Sequence, residues 1–300
     1  MRSFKVIGEL INNSFARARR AWGAKDLAAY QKLACLQDSL GANYLTVNTD
    51  GTQTMRVRQE EMIAFLADLV PALQAVTALP LAFDNPSILF HRRALELYDR
   101  SKSAAPILNS LAASRESLPE MIDLVREYDT LVVVMASEKF TPTGTAQCVC
   151  AKDVYEASRH FVELLVDKGG RKNDQIIIDP GLAPVGADTY GLVNMALDAM
   201  RLIRQDPDLA GVHISVGLTN FSFGTPPELR PLLQQAFLTL AVEAGLDFVL
   251  ANPEHELRLM ESSDATLRGV QVALQAGRPE IDETQETAGY RQAEKIMELF

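Results

Sequence analysis

Short apolar runs in this chain are repeatedly followed, within a few residues, by an acid or an amide. The residues at those points are Glu9 and Asn12, Asn48 and Asp50, Asp84, Asn109, Ser137 and Glu138, Asp179, Asn220, and Asn252 and Glu254. Any one of them could be a turn residue or a helix cap, the ordinary work of Asn and Asp. Turn chemistry alone would bring Gly and Ser to these places as often, so the recurrence points to a shared task. A carboxylate pairs with adjacent ring N–H groups, and a carboxamide can give one hydrogen bond while accepting another. Such a set suits a neutral ligand rich in donors and acceptors: a pterin, a purine or a sugar. Other chemistries find no support. The four histidines, His91, His160, His213 and His255, lack metal-ligand spacing, so no protein-bound metal is expected. Cys35, Cys148 and Cys150 fit neither a zinc knuckle nor a redox pair and read as reduced thiols. There is no G-x-S-x-G elbow and no P-loop.

Side chains scattered over 250 positions form one site only if the elements bring them to one end. The apolar runs at 5–10, 44–48, 79–83, 105–109, 130–135, 175–179, 212–216 and 248–251 read as strands. The segments between them read as amphipathic helices. In one, Val154, Ala157, Phe161, Leu164 and Leu165 make a single stripe. Asn85-Pro86 and Asn252-Pro253 each offer a cap followed by proline at the first helical position. Gly41 and Gly245 stand where the preceding helices should stop. Eight strand–helix units in 300 residues predict a (β/α)8 TIM barrel, whose active site lies at the C-terminal ends of the strands. That is where the acids and amides stand. The rival, an open doubly wound sheet, usually carries a G-x-G-x-x-G turn after its first strand, and Gly8-Glu9-Leu10-Ile11-Asn12-Asn13 has none. One domain is expected over 1–300, with 276–300 a C-terminal helical extension of it, helical from about Thr284.

Composition bounds the partners. An apolar fraction of 47% and a charged fraction of 23% argue against disorder. A net charge of −10 disfavours a surface built for nucleic acid. No window approaches the ~20 apolar residues of a membrane span, and the opening residues show no secretory pattern. A cytoplasmic protein without membrane contact is expected. Arg56, Arg58 and Arg230 read as solvated surface rather than as contacts for an anionic ligand.

Several of these strings resemble a known family. Val6-Ile7-Gly8-Glu9-Leu10-Ile11-Asn12 resembles the opening strand of the pterin-binding methyltransferases that act with corrinoid proteins. Leu218-Thr219-Asn220-Phe221-Ser222-Phe223-Gly224-Thr225-Pro226 is similar to their signature after strand seven, G-[LI]-[ST]-N-x-S-F-G-x-P. Leu81-Ala82-Phe83-Asp84, Ile107-Leu108-Asn109-Ser110, Ile178-Asp179-Pro180-Gly181, Ala236-Phe237-Leu238 and Ala244-Gly245-Leu246-Asp247 follow the same order. The resemblance, to the methyltetrahydrofolate:corrinoid protein methyltransferases and the folate-binding domain of cobalamin-dependent methionine synthase, runs from about Val6 to about Glu254.

The resemblance implies a pterin held by Asp84, Asn109 and Asp179, with Asn220 close to N5 as the catalytic residue. Glu9, Asn12, Asn48 and Ser222 complete the implied pterin site. It implies tetrahydrofolate or 5-methyltetrahydrofolate as substrate and a homodimer. The chain carries no D-x-H-x-x-G motif, so cobalamin is expected on a partner corrinoid protein. The direction of methyl transfer stays open, and transfer from a methylcorrinoid to tetrahydrofolate in O-demethylation is one possibility. One position departs. Strand two of the family usually ends Asp-x-Asn, and here Thr46-Val47-Asn48 replaces the acid with Thr46. Two alternatives remain: a folate-binding barrel without catalysis, favoured by that loss, and a dihydropteroate synthase-like enzyme. The latter lacks its N-V-T-P-D-S-F opening here, and the exit Ala251-Asn252-Pro253-Glu254-His255 lacks its anion-binding arginine and histidine.

Overall fold

A computed structural model describes residues 3–299. The expected span of 1–300 includes Met1, Arg2 and Phe300, which lie outside the described residues. The eight apolar runs form strands β1 (Lys5–Gly8), β2 (Tyr44–Val47), β3 (Leu81–Asp84), β4 (Ile107–Ala112), β5 (Leu131–Met135), β6 (Ile176–Asp179), β7 (His213–Ile214) and β8 (Phe248–Ala251). They lie parallel in the order β8-β1-β2-β3-β4-β5-β6-β7. Between the outermost two, Asp247 N donates to the Ile214 carbonyl at 3.2 Å and Leu250 N to that of Val216 at 3.0 Å. The ring is therefore joined on itself as a (β/α)8 barrel, and the open-sheet rival is excluded.

Strand alternation decides what faces inward. Ile7, Tyr44, Ala82, Ile107, Val133, Ile177 and Phe248 meet inside the barrel as one apolar layer. Their alternate neighbours, among them Val6, Leu45, Phe83, Leu108, Val132, Ile178 and Val249, pack outward against the helices. Two residues above the inner layer stand Glu9, Thr46, Asp84, Asn109, Met135 and Asp179. A further step of two brings Asn48 and Asn252. The period of the strands thus converts an apolar plug into a polar mouth.

The helix Ala151–Asp167 buries Val154, Ala157, Phe161 and Leu165, while Leu164 is half-exposed. Gly41 and Gly245 follow the helices Leu27–Ser39 and Arg230–Glu243 with φ of 82° and 112°. The two Asn-Pro caps fall elsewhere. Asn85 Oδ1 accepts from Ser87 N at 2.8 Å, and Ser87 itself caps the helix Ile88–Leu97. Asn252 Oδ1 accepts from Glu254 N at 2.9 Å, and the next helix, Ala265–Ala276, is capped by Asp264. In both places the Asn side chain closes a turn on its own backbone, the local competitor of capping. An antiparallel hairpin, Glu138–Thr141 with Gly144–Gln147, follows β5 and was not apparent in the sequence. The final helix, Gln285–Met297, has Thr284 as its cap. Gln292 of that helix donates to the Val185 carbonyl at 3.2 Å, tying it to the turn after β6. Among the described residues no helix is long and apolar enough to cross a membrane.

Candidate active site

At the end of β3, Asp84 is recessed in the mouth, reached by solvent only in part. Asn48, from the exit of β2, donates through Nδ2 to Asp84 Oδ2 at 3.1 Å. Asn48 Oδ1 accepts from Asp50 N at 3.0 Å, and Asp50 in turn receives the Asn85 carboxamide. Asn12 is bridged to Asn48 through the backbone, and its own Oδ1 accepts from Ser14 N at 2.8 Å. Asn109 lies directly beside Asp84 in the β3–β4 register. Burial raises the Asp84 carboxyl to about 6; the Asn48 bond opposes the rise, the Asp50 charge adds to it, and the Arg115 charge opposes it.

Asp179 ends β6. Its Oδ1 accepts from Gly181 N at 2.8 Å, and its carbonyl accepts from Ala136 N at 2.7 Å. Gly181 needs its φ of +81°, and a Cβ there would meet the Ser137 Cβ at 2.9 Å, so the turn that presents Asp179 depends on glycine. Burial raises Asp179 to about 6, the Gly181 bond opposes this, and the charge of Asp84 adds to it. Asp179 thus feels the charge of Asp84.

Glu9, just beyond β1, is buried at 6% exposure. Next to it in the chain, Leu10 N donates at 2.9 Å to Gln37 Oε1, which fills the space that a Cβ on Gly8 would need. The Thr219 hydroxyl donates to Glu9. Burial raises this carboxyl to about 7, against the opposing bonds from Thr219 and the Asn252 backbone.

Asn220 follows Thr219 in the short helical turn Leu218–Phe221 after β7. Its side chain is exposed, and it makes no hydrogen bond among the described residues, like that of Asn109. Both carboxamides therefore keep their full donor and acceptor capacity. Ser222 is different. It is fully buried, and its hydroxyl accepts from Gln234 Nε2 at 2.7 Å, while Gln234 Oε1 meets His255 Nδ1 at 2.8 Å. Ser222 sits under the loop that carries Asn220. The structure therefore gathers Glu9, Asn48, Asp84, Asn109 and Asp179 at one mouth, adds Asn220 at its rim, and sets Asn12 and Ser222 behind it.

The sequence profile of pterin binding enzymes matches residues 13–252. The chain belongs to the pterin binding enzyme family. The resemblance read from 6–12 and 218–226 agrees with a relative, the methylcorrinoid:tetrahydrofolate methyltransferase of Eubacterium limosum. That protein is 23% identical over 83% of this chain and 84% of its own length. The methionine synthase of Mycobacterium leprae (strain TN) is 24% identical over 99% of this chain, which spans 23% of that longer protein. In structure, the chain is similar to the 7,8-dihydropteroate synthase of Vibrio fischeri ES114, with a TM-score of 0.63 over 91% of this chain and 93% of that one, at 16% identity. That likeness concerns the fold.

Within this pterin-binding barrel, three groups escaped the sequence reading. Arg115, after β4, has a charge felt by Asp50, Asp84 and His91, yet makes no ion pair among the described residues, and its Nε is buried without a partner. Nothing in the sequence around it sets it apart from other surface arginines. Thr219 belongs to the signature after β7, and only the fold shows that its hydroxyl joins that signature to the exit of β1. Gln37 lies on a helix and shows its purpose only through Gly8. Thr46 is fully buried in the barrel with its hydroxyl unpartnered, so this position of β2 brings no charge to the mouth. His91 is also fully buried; its Nε2 lies 2.7 Å from the Asn85 carbonyl, and burial lowers it to about 4, so it is neutral. Arg56 and Arg58 are exposed, and Arg230 is held by the Thr225 carbonyl at 2.9 Å.

Proposed function

We propose that this chain moves a methyl group between N5 of tetrahydrofolate and the cobalt of a corrinoid carried by a separate protein. The observation that carries this reading is the mouth itself: Asp84 and Asp179 are recessed there, and among the described residues no cation is bonded to either. Such carboxyls suit a neutral ring with several N–H donors, and the free Asn109 carboxamide supplies a mixed donor and acceptor beside them. The relative from Eubacterium limosum supports the methyl chemistry, and the resemblance of 218–226 to the methyltransferase signature agrees with it.

In this reading Asp84, Asn109 and Asp179 hold the pterin, with Asn48 bracing Asp84, and with Glu9 at the exit of β1. Asn12 and Ser222 hold the loops in place from behind. Asn220 meets N5. Displacement of methyl from a tertiary amine is slow because the amine is a poor leaving group. A carboxamide that strengthens its hydrogen bond as charge changes at N5 favours the transition state over the ground state. Cobalt(I) on the partner is the acceptor in one direction, and its methylated form is the donor in the other. The barrel positions the pterin for that encounter.

The test mixes the protein with 5-methyltetrahydrofolate and cobalt(I) corrinoid proteins, follows the cobalt spectrum, and repeats the reverse reaction. Methylcobalt should form, and Asn220→Ala should slow it by roughly 10²–10³-fold. A protein that binds tetrahydrofolate tightly but transfers no methyl group in either direction would instead be a folate-binding barrel without catalysis.

A further inference from the structure

Recognition of the pterin ring leaves one buried acid of the mouth without a task. Glu9 stands after β1, two strands around the barrel from Asp84 and three from Asn109 and Asp179. It is nearly inaccessible, and no cation bonds it among the described residues. Its hydrogen-bond partner is the hydroxyl of Thr219, the neighbour of Asn220 in the same short turn. A buried carboxyl joined to the turn that meets N5 is placed to exchange a proton there.

Resting on the methyl-transfer reading above, we propose that Glu9, braced by Thr219, gives N5 its proton as the methyl group leaves and takes it back when the reaction runs the other way. The N5–CH3 bond breaks and its electron pair stays on nitrogen. The Glu9 O–H bond breaks, and its proton forms N5–H. The methyl group passes to cobalt(I), which supplies both electrons of the new Co–C bond. Glu9 remains as a carboxylate and is reprotonated from solvent before the next turnover. In the reverse direction the carboxylate removes the N5 proton as the methyl group arrives.

The surroundings keep this carboxyl poised near neutrality. Burial is the largest influence on it, and the Thr219 and Asn252 bonds partly offset burial, leaving it at about 7. The other titratable groups around the mouth are Asp50 after β2, Asp84 and Asp179 at the ends of β3 and β6, and Arg115 after β4. Glu254, after β8, is paired with Arg17, and His255 is bonded to Gln234. None of them is among the groups that shift Glu9.

The experiment compares wild type, Glu9→Gln and Thr219→Val, with 5-methyltetrahydrofolate as donor and free cob(I)alamin as acceptor, over a range of pH. Calorimetry of tetrahydrofolate binding in buffers of different ionisation enthalpy counts protons without cobalt. Wild-type kcat should fall tenfold per unit as pH rises beyond about 7. Glu9→Gln should lower kcat roughly 10²-fold or more, leave KM within about threefold, and flatten the pH profile. Thr219→Val, by removing a bond that favours the carboxylate, should move the midpoint to higher pH. Thermal melting verifies that Glu9→Gln, a neutral isostere, folds. An active wild type with an unchanged Glu9→Gln profile overturns the proton role alone. A wild type that binds tetrahydrofolate but transfers no methyl group overturns both readings.

Discussion

The two ends of this barrel use the same side chain in opposite ways. At the base, Asp247 at the entry to β8 accepts from Ile214 N at 2.8 Å and His213 Nδ1 at 2.7 Å and forms an ion pair with Arg204 at 3.1 Å. Burial pushes its carboxyl up, but the His213 and Ile214 bonds and the nearby cations outweigh that, and it lies below the usual aspartate range. At the mouth, Asp84 and Asp179 are recessed and Glu9 is buried, none bonded to a cation among the described residues, and they stand at about 6, 6 and 7. The base aspartate has its partners in the fold and pins the seam between β7 and β8. The mouth carboxyls have only neutral hydrogen-bond donors as partners, and burial destabilises the charged form of each. A protein carries such a cost where a ligand will supply the missing donors.

The largest effect should come from removing the mouth carboxyls. Asp179→Asn or Asp84→Asn keeps the shape but places an amide where ring N–H groups need an acceptor. Tetrahydrofolate affinity should fall roughly 10²-fold or more, measured by calorimetry. Each variant should also melt at a higher temperature than wild type at pH 8, because an uncompensated buried charge is gone. Breaking the base should do the reverse. Asp247→Ala should cost about 2 kcal/mol of unfolding free energy in urea titrations, since its partners lose a part-buried acceptor. Pterin affinity of the folded fraction should stay within about twofold of wild type.

The smallest and most diagnostic contrast is in pH. A carboxyl whose folded value is raised contributes stability below its unfolded value, and that contribution is lost as pH rises through the folded value. For the mouth this window runs from about 4 to about 7. The ligand-free protein should therefore be more stable at pH 5.5 than at pH 8, by about 1–2 kcal/mol per carboxyl at most. Asp247 has the opposite sign: its contribution is present above the unfolded value and fades as pH falls through its lowered one. Asp84→Asn should shrink the first slope, and Asp247→Ala the second.

The mouth was legible because strand parity is local. Ile7 to Glu9, Ala82 to Asp84, Ile107 to Asn109 and Ile177 to Asp179 are each one step of two along a run that the sequence displays. The base was harder to read. Asp247 appeared only as the end of a family pattern, and its partners His213 and Arg204 come from other segments. The Glu9–Thr219 bond spans 210 positions, and no periodicity reports a contact at that range. The Asn-Pro pairs misled for a related reason: the same side chain can close a turn or cap a helix, and only the path of the following backbone decides. The hairpin after β5 has no apolar alternation to announce it.

The central claim is that Asp84 and Asp179, recessed without a cation bonded to them among the described residues, are held for a pterin. Its most direct measurement is a calorimetric titration of tetrahydrofolate into the wild type and Asp179→Asn at pH 7. The account predicts one saturable site per chain in the wild type and at least a roughly 10²-fold weaker one in the variant. No heat of binding in the wild type, or equal affinity in the two proteins, would contradict it.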